Sequence, residues 1–554
     1  RCPYLDTVCR PLLDFDMAKA CSVTLSDQNV YACLVCGKFF QGRGKSTPLY
    51  THSVQFGHFV VMSLHTGRAY CLPDGYEIGA GEATADARSL ADVQRCLHPS
   101  FSVEEISRLS RHNTALARDV HGVSYLPGFV GLNNLSHTDY VSVTLHALSH
   151  VTPIRDFFLV PSNYNNSKSA LVHSFGEVMR KMWSGHNFKS VVSPQEFLQQ
   201  VSVSSKKRFV IGRQQECVEF MVWLLNELHR GIGGTNRPDS SVIYRALQGH
   251  VKVHSMKKKA KAAPQPEVDD EATEQASPFL YLSLDIPPTP LFKDSQGGLV
   301  IPQIPLFEVL KKFDGDTWTD VTTSTGLVRR RYVIKKLPKY LMVHLVRFTR
   351  NNFYVEKNPS IVTFPVKNLE MKHYAHNPED RNSRPATCTR EEVPEMGIGE
   401  LRAAALRNIQ ATNAASGGTG AVGAACQDLS RRLQQCVDRS ELNDVAVDSI
   451  DLLETTQSLS SKYDLLCNVC HDSLASQGTD IGSDHKSISG GPTSSENVLT
   501  QGSYRCHLQN KATGQWFELQ DLHVTETLPQ LIGLSESYLL IYERKDVAGD
   551  DIAS

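Results

Sequence analysis

Gly131-Leu-Asn-Asn-Leu-Ser-His-Thr-Asp-Tyr140 is the stretch of sequence from which the fold can be worked out. Directly after it, Val141, Leu145 and Leu148 recur at helical spacing, so a helix is expected to begin where the stretch ends. Asp139 then lies at the helix N-terminus. A carboxylate there can accept backbone N–H groups and interacts favourably with the helix dipole, which contributes on the order of 1 kcal/mol. We therefore expect Asp139 to stabilise the fold.

The residues on either side of this stretch predict helices followed by strands. Between residues 125 and 253 most apolar residues recur at helical spacing, as they do at Val218, Met221, Leu224, Leu225 and Leu228. Further on, aromatic and branched residues alternate as in strands over 279–285, 340–346 and 538–542. Helices first and strands later predict an α+β domain.

The composition limits the class of protein. Of the 554 residues 41% are apolar, which is enough for a sizeable core. The net charge of −2 excludes a protein coated with positive charge, although local basic patches remain. No run approaches the roughly 18 apolar residues of a membrane helix, so we expect no membrane partner. Without a secretory signal, the 14 cysteines are expected to be free or metal-bound in a reducing compartment.

Changes in composition predict the domain organisation. Residues 1–95 contain a Cys/His-rich segment, 96–122 predict a polar helical connector, and 123–547 predict the main domain. A charged linker is expected over 257–271. Residues 376–460 include Ala/Gly/Ser low complexity, and 473–499 are rich in Ser, Gly and Asp. We expect both of these stretches to be largely disordered insertions.

Four residues near the N-terminus have the spacing of metal ligands. Cys33-x2-Cys36-x15-His52-x5-His58 places two thiolates in one turn and two imidazoles about fifteen residues later, which suits tetrahedral zinc. The alternative is two core cysteines and two surface histidines. We expect one closed, structural Zn²⁺ site, and no second metal, because the neighbouring cysteines lack paired spacing.

The residues around these ligands resemble the zinc finger of ubiquitin-specific proteases. The resemblance covers Tyr31 to Arg43, then Tyr50-Thr-His-Ser53 and Gly57-His58. In ubiquitin-binding fingers an Arg and several aromatics grip the free C-terminal tail of ubiquitin. The resemblance therefore makes Arg43 and Tyr31 candidate contacts to that tail. The preferred alternative is a structural finger that docks on protein or RNA.

The stretch from Gly131 to Tyr140 resembles the cysteine box of the same proteases, Gly-Leu-x-Asn-x-Gly-Asn-Thr-Cys-Tyr. Arg213-Gln-Gln-Glu-Cys-Val-Glu-Phe220 resembles their Gln-Gln-Asp-x-x-Glu-Phe box. The resemblance implies a papain-like ubiquitin-specific-protease fold after the finger, with a helical thumb and β-rich palm and fingers. The two CxxC knuckles of the fingers region in active relatives are missing.

The resemblance also shows that the catalytic triad is absent. The nucleophile position holds Asp139, the general-base position holds Ser503, and the third position holds Gln520. A serine hydroxyl is no base near neutral pH, and without a thiol no acyl intermediate forms. Asn134 matches the oxyanion-hole donor, which has no function without a nucleophile. The sequence thus predicts a pseudo-deubiquitinase.

Other cysteines do not restore the chemistry on sequence grounds. Cys217 lies in the second box, where a nucleophile would be misplaced. Cys470 and His471 are neighbours on a predicted strand, so their side chains point to opposite faces. His507 lies nearby, but we expect no cysteine to reach a histidine. Cys467 and Cys470 form a lone CxxC and are expected to be ordinary thiols.

Further stretches resemble one inactive subgroup of the family, the spliceosomal component of the tri-snRNP. They include Arg347 to Pro365, Cys2-Pro-Tyr-Leu-Asp6 and Glu518 to Val524. The resemblance implies a non-enzymatic nuclear scaffold in pre-mRNA splicing. Its partners would be snRNP proteins, including large splicing factors and an RNA helicase.

Three alternatives stay open beside the scaffold. Basic clusters at 206–208, 257–259 with Lys261, and 329–331 are compatible with snRNA contact, although each can equally be a solvated face. The chain can also be a reader of ubiquitin or of a ubiquitin-like protein. An active deubiquitinase with an unconventional mechanism is the third reading.

Overall fold

The computed structural model describes most of the chain outside the two predicted insertions. Its described residues are 2–79, 85–257, 272–288, 302–323, 326–350, 355–375, 461–473 and 502–545. Residues 376–460 and nearly all of 473–499 lie outside them. The chain divides into two compact units, 1–369 with 464–543 and 370–463 with 544–554. All the site residues discussed below belong to the first unit.

The N-terminal domain is a small antiparallel sheet with one helix inserted. Its strands are β1 (Val30–Cys33), β2 (Phe39–Gln41), β3 (Val60–Ser63), β4 (Ala69–Cys71) and β5 (Glu77–Ile78), in the order β2-β1-β3-β4-β5. Helix α1 (Pro48–Phe56) lies between β2 and β3. Helix α2 (Ala85–Leu97) packs Leu90, Val93 and Leu97 into the same core, and it spans the predicted boundary at residue 95.

The predicted helices follow, joined by short strand pairs. They are α3 (Val103–His112), α4 (Asp139–Ser149), α5 (Thr152–Leu159), α6 (Ala170–Trp183), α7 (Gln195–Ser204), α8 (Cys217–Gly231) and α9 (Val242–Leu247). The short strands are β6 (Ala117–Arg118), β7 (Ser124–Tyr125), β8 (Gly131–Leu132) and β9 (Val191–Val192). Every residue of α4 is buried, so this helix forms the centre of the core. No helix in the described ranges is long and apolar enough to cross a membrane.

Strands dominate the second half, as the sequence predicts. They are β10 (Gly249–Lys257), β11 (Ala272–Phe279), β12 (Tyr281–Asp285), β13 (Gln303–Pro305), β14 (Asp314–Thr323), β15 (Gly326–Lys336), β16 (Tyr340–Val346), β17 (Phe348–Arg350), β18 (Val355–Lys357), β19 (Ile361–Thr363), β20 (Leu369–Glu370), β21 (Lys462–Ser473), β22 (Gly502–Gln509), β23 (Trp516–Gln520), β24 (His523–Thr527) and β25 (Ser537–Arg544). The helices among them are α10 (Leu306–Leu310), α11 (Lys372–Ala375) and α12 (Pro529–Ile532).

Two of the sheets correspond to the predicted palm and fingers. The larger has the strand order β12-β16-β25-β21-β22-β23-β24, and α4 packs against its strand β22. The smaller has the order β11-β10-β15-β14. The prediction of an α+β protein, with helices first and strands later, is confirmed.

The charged segment 257–271, predicted to be a linker, lies outside the described residues except for Lys257. Strand β10 pairs antiparallel with β11, from Gly249 opposite Phe279 to Met256 opposite Ala272. The segment therefore lies in sequence between two paired strands of one sheet.

A buried lysine fixes the N-terminal segment to the helical half. The Lys181 ammonium on α6 lies 2.9 Å from a carboxylate oxygen of Asp16 and 3.3 Å from Glu177, and it donates to the backbone oxygen of Phe15 at 3.0 Å. Burial lowers the pKa of Lys181, but the two carboxylates outweigh burial and raise it. Lys19 adds a second ion pair with Glu177 at 2.8 Å. The zinc-finger domain is thus attached to α6 through desolvated charges.

Two buried histidines lie at the end of α4. Neither ring nitrogen of His146 has a hydrogen-bond partner among the described residues, and Nδ1 of His150 lies 2.9 Å from the backbone oxygen of His146. Burial lowers the pKa of both imidazoles to about 3. Both are therefore neutral in the folded protein at pH 7.

Acidification should destabilise the fold through these two side chains. Histidine in an unfolded chain has a pKa of about 6.5, so below that pH the unfolded state binds protons that the folded state excludes. The stability contributed by the neutral rings is complete above pH 6.5 and is lost as the pH falls towards 3. By pH 5 we expect a loss of about 1–2 kcal/mol per histidine in the free energy of unfolding.

Urea unfolding at pH 7 and pH 5 measures this loss. His146→Leu should reduce the difference between the two pH values, whereas His121→Leu, at an exposed position, should keep the wild-type difference. An unchanged pH dependence in His146→Leu would contradict the expectation.

Candidate functional site: a zinc finger and a closed protease-like centre

The four predicted metal ligands come together in the N-terminal domain. Their ligand atoms all lie within 4.8 Å of one another. Cys33 Sγ is 3.6 Å from His58 Nδ1, Cys36 Sγ is 3.4 Å from His52 Nε2, and the two imidazole nitrogens are 3.1 Å apart. Tetrahedral zinc, with Zn–S of about 2.3 Å and Zn–N of about 2.0 Å, separates its ligand atoms by roughly 3.3–3.8 Å. The cluster therefore fits a zinc ion.

The local sequence explains this geometry. The turn after β1 contains Gly37 at φ +76°, and a Cβ there would lie 2.0 Å from the backbone oxygen of Leu12, so only glycine fits. Helix α1 carries His52 and ends at Gly57, which is left-handed at φ +70°. That reversal brings His58 back beside His52.

Arg43 and Tyr31, the predicted ubiquitin-tail contacts, lie together beside the metal cluster. The Nε of Arg43 donates to the Tyr31 hydroxyl at 3.1 Å, and its guanidinium carbon lies 3.6 Å from the ring centroid of Tyr70. Sequence reasoning missed Tyr70, which reaches Arg43 only because β4 pairs with β3. Neither terminal nitrogen of the Arg43 guanidinium forms a hydrogen bond with the described residues. The guanidinium is thus held in place with donors to spare for a carboxylate.

Asp139 is the first residue of α4, as predicted, and is 3% exposed. Its Oδ2 accepts the backbone N–H of Tyr504 at 2.7 Å and the side-chain amide of Gln214 at 3.0 Å. Burial raises the pKa of Asp139, and these hydrogen bonds partly offset the rise. The Asp139 carboxylate thus forms hydrogen bonds with strand β22 and with the residues before α8, and it also lies at the N-terminus of α4.

The other two degenerate positions bond to each other. The side-chain amide of Gln520 donates to the Ser503 hydroxyl at 3.0 Å. Neither group titrates near neutral pH, so the pair offers no general base. Asn134, the oxyanion-type position, donates to Asp521 at 3.3 Å and accepts the Thr138 N–H at 3.0 Å. Each predicted site residue is therefore engaged in holding neighbouring segments together.

The expectation that no cysteine reaches a histidine is wrong. Cys470 Sγ lies 3.7 Å from Nδ1 of His507, and Nε2 of His507 lies 3.0 Å from a carboxylate oxygen of Glu518. Asn468 stands opposite His507 in the β21–β22 pair, so Cys470, two residues further along, shares its face. The pairing register of β21 and β22 brings Cys470 and His507 together, and this contact cannot be inferred from residues that are adjacent in the sequence. As argued from the sequence, His471 is not the partner.

This cluster is closed to substrate. Cys470 is 0% exposed and His507 is 2% exposed, and the Cys470 thiol donates to the Ser535 hydroxyl at 3.2 Å. Burial lowers the pKa of His507, but hydrogen bonds with Cys470 and Glu518 outweigh burial and raise it to about 9. The buried His507 therefore forms an ion pair with Glu518, whose side chain is 29% exposed. Cys217, in the second box, is also fully buried, and burial raises its pKa to about 12.

Comparison with known families identifies both domains. Residues 130–542 match the family described as "Ubiquitin carboxyl-terminal hydrolase". The chain belongs to the ubiquitin carboxyl-terminal hydrolase family. Residues 20–82 match the family described as "Zn-finger in ubiquitin-hydrolases and other protein". The zinc-finger match and the Cys/His cluster both indicate that the N-terminal domain binds zinc.

Some of the proteins that the chain is similar to are named for splicing. The chain is 38% identical to human "Ubiquitin carboxyl-terminal hydrolase 39", covering 98% of this chain and 80% of the relative. It is 32% identical to "Probable mRNA-splicing protein ubp10" of Schizosaccharomyces pombe, covering 98% and 88%. The solved structure "Crystal structure of an essential yeast splicing factor" has the same fold, with a TM-score of 0.64 at 23% identity over 98% of this chain and all of that one.

The cysteine box of the family also explains a strained loop. The family pattern has Gly and Asn before the Thr-Cys pair, whereas here Ser136 and His137 occupy those positions at φ +93° and +48°. Residues other than glycine rarely adopt such φ angles. The loop thus keeps the backbone conformation of the family's cysteine box, although it lacks the glycine that favours this conformation.

Removing one zinc ligand should unfold the N-terminal domain. Cys36→Ala leaves three ligands, and a domain this small has little core without its metal. We expect loss of bound zinc by elemental analysis and rapid proteolysis within the first 80 residues. Cys9→Ala, outside the cluster, should retain the metal. Unchanged zinc content in Cys36→Ala would mean that the ligand set is wrong.

Removing the Asp139 carboxylate should weaken the fold without changing any activity. In Asp139→Ala the Tyr504 N–H and the Gln214 amide lose their acceptor, which costs about 1–3 kcal/mol in the free energy of unfolding. Asp139→Asn keeps an oxygen acceptor and should lose less than half as much. Urea unfolding of the three proteins checks this ordering.

A ubiquitin probe with a C-terminal electrophile should label no cysteine in the wild type or in either variant. Wild-type stability in Asp139→Ala would refute the structural role. Labelling of the wild type would refute the loss of the catalytic centre.

Proposed function

We propose that this chain is a non-enzymatic scaffold of the spliceosomal tri-snRNP that supports its assembly or stability in pre-mRNA splicing. The observation that carries the proposal is the fate of the three catalytic positions. Asp139 bonds to the backbone of Tyr504, and Ser503 bonds to Gln520. These three positions provide neither a nucleophile nor a base, so under this proposal the protein acts through its binding surfaces.

The comparisons support a role in splicing. Two relatives are named as splicing proteins, and one of them shares almost the whole chain. That role implies a nuclear location. The partners under this proposal are snRNP proteins, including large splicing factors and an RNA helicase. One structural zinc ion, held by Cys33, Cys36, His52 and His58, would keep the finger folded while it docks on them.

Direct contact with snRNA is best supported at the end of α7. Lys206 and Lys207 are exposed, and neither forms an ion pair with the described residues. By contrast, Arg208 pairs with Glu219 at 2.9 Å, and Arg329 pairs with Asp320 at 2.9 Å. Unpaired lysines on a surface are free to approach phosphates.

The arrangement of Arg43 favours a second candidate function, recognition of ubiquitin or a ubiquitin-like protein. The guanidinium is held by Tyr31 and Tyr70 and retains unpaired donors. A free C-terminal carboxylate is the group that such donors would bind. This candidate concerns the zinc finger alone and is compatible with an inactive protease-like domain.

One experiment separates the two candidates. The tagged full chain is recovered from nuclear extract, and its RNA is sequenced while its proteins are probed for ubiquitin with a free C-terminus. The scaffold predicts enrichment of the tri-snRNP small nuclear RNAs. Recovery without RNA but with such ubiquitin would instead support the reader.

Arg43→Ala is the matched variant for this experiment. It should leave recovery of the small nuclear RNAs unchanged if the chain is a scaffold, and it should abolish ubiquitin capture if the finger is a reader. Recovery of neither the small nuclear RNAs nor ubiquitin with a free C-terminus by the wild type would refute both candidates.

A further inference from the structure

Two loops beside the former catalytic centre meet in an exposed basic surface. One loop is residues 205–213, between α7 and α8, and the other is residues 134–138, before α4. The backbone N–H of Gly212 donates to the backbone oxygen of Ser136 at 2.9 Å, so the two loops are in contact. We define the two-loop surface by its basic side chains, all of which are exposed: His137, Lys206, Lys207 and Arg213.

The end of α7 holds two lysines in a conformation that favours glycine. The N–H of Lys207 donates to the backbone oxygen of Ser202 at 2.8 Å, and the N–H of Lys206 donates to that of Val203 at 3.1 Å, which is the Schellman arrangement. Its left-handed position usually carries glycine, yet Lys206 has φ +52° and Lys207 has φ +65°. The two lysine side chains are therefore kept at the expense of backbone strain.

The second loop is strained in the same way. Ser136 and His137 have φ +93° and +48°. Nine non-glycine residues in the described part of the chain have a positive φ, and four of them are these two and the two lysines. Backbone strain concentrates at sites of binding and catalysis. Because the former catalytic positions provide no nucleophile or base, binding is the role that remains.

Neighbouring carboxylates do not neutralise the two-loop surface. None of its four side chains forms an ion pair or a hydrogen bond within the described residues. Residues 205–213 contain no carboxylate, and their remaining cation, Arg208, pairs with Glu219 at 2.9 Å. Glu216, the other nearby acid, is engaged in an interaction of its own. The two lysines and Arg213 thus remain exposed without a counter-charge, which favours a polyanionic ligand.

The loop between α7 and α8 offers side-chain charge and no free row of main-chain donors. All the N–H groups of residues 206–209 donate to α7 or to Ser205, and those of Gly212 and Arg213 donate to neighbouring backbone oxygens. An extended peptide therefore cannot add to this loop as a strand. Lysine and arginine side chains remain, and they are the groups that bind phosphates of nucleic acids. Lys207 and Arg213 are at most about 22 Å apart, the full reach of six residues, which a few nucleotides can bridge.

We propose that the two-loop surface binds the phosphate backbone of RNA without reading its sequence. The inference rests on the proposed function, because an RNA-containing assembly presents this ligand. It deepens that function by placing the RNA contact at the entrance of the former catalytic centre, where the loop that once preceded a nucleophile contributes an imidazole.

Fluorescence anisotropy of the purified full chain with short labelled RNAs, one single-stranded and one duplex, tests the proposal. Wild-type affinity should fall as KCl rises from about 50 to 200 mM, and it should not change when the base sequence is permuted. Lys206→Gly should weaken binding about fivefold near 0.1 M KCl and reduce the slope of log K against log[KCl] by about 0.7–0.9, the share of one phosphate contact. Arg213→Ala should have an effect of the same size.

Two further measurements separate a lost contact from a damaged fold. In urea, Lys206→Gly should unfold at the same concentration as the wild type or at a higher one, because glycine adopts the left-handed conformation without strain. Lys168→Gly removes an exposed, unpaired lysine at the far end of α8, where the Ser167 hydroxyl donates to the backbone oxygen of Gly231. This control should bind RNA like the wild type.

The proposal is overturned if the wild type does not bind RNA, if Lys206→Gly or Arg213→Ala binds RNA like the wild type, or if Lys206→Gly loses stability together with affinity. An equal loss of affinity in Lys168→Gly would also overturn it. So would displacement of the labelled RNA by polyglutamate as readily as by unlabelled RNA, since an acidic protein segment would then be an equally good ligand. None of these results would refute the scaffold, because partner proteins can hold the small nuclear RNAs recovered from nuclear extract.

Discussion

The buried carboxylate of Asp139 is the interaction on which the arrangement of the main domain depends. It stands at the start of a helix whose residues are all buried, and it accepts hydrogen bonds from strand β22 and from the segment before α8. A buried carboxylate without such partners would be strongly unfavourable. The helical half and the large sheet must therefore remain together at this point. In an active hydrolase of this family the same position carries the reacting atom.

The protease-like centre shows that catalytic geometry and catalytic function are separate properties. Ser503 and Gln520, two of the three degenerate positions, bond to each other, and neither side chain titrates near neutral pH. Cys470, His507 and Glu518 have the spacing of a nucleophile, a base and an orienting acid, yet Cys470 and His507 are enclosed within the sheet. Access to a substrate, and not the distances alone, decides whether such a group of residues can react.

The fold and the metal ligands could be predicted from the sequence because the residues that determine them lie close together in the chain. The ligands of the finger occur within 26 residues, and α4 follows directly from the spacing of Val141, Leu145 and Leu148. Sequence reasoning missed Tyr70 beside Arg43 and His507 beside Cys470, because these contacts depend on which strands pair and in which register. The partners of Asp139 lie 75 and 365 residues away, beyond the reach of any local pattern.

The lysine that anchors the N-terminal segment has a mechanical consequence. Tilting the zinc finger away from α6 would break the Lys181–Asp16 and Lys19–Glu177 ion pairs together, along with the hydrogen bond from Lys181 to the backbone oxygen of Phe15, which makes hinge motion at this junction unfavourable. The finger is therefore held in place on α6 and is not a tethered module. Two molecules held by the finger and by the large sheet would be kept at a constant separation and orientation. A single molecule that contacts both surfaces would meet the second at a high effective concentration.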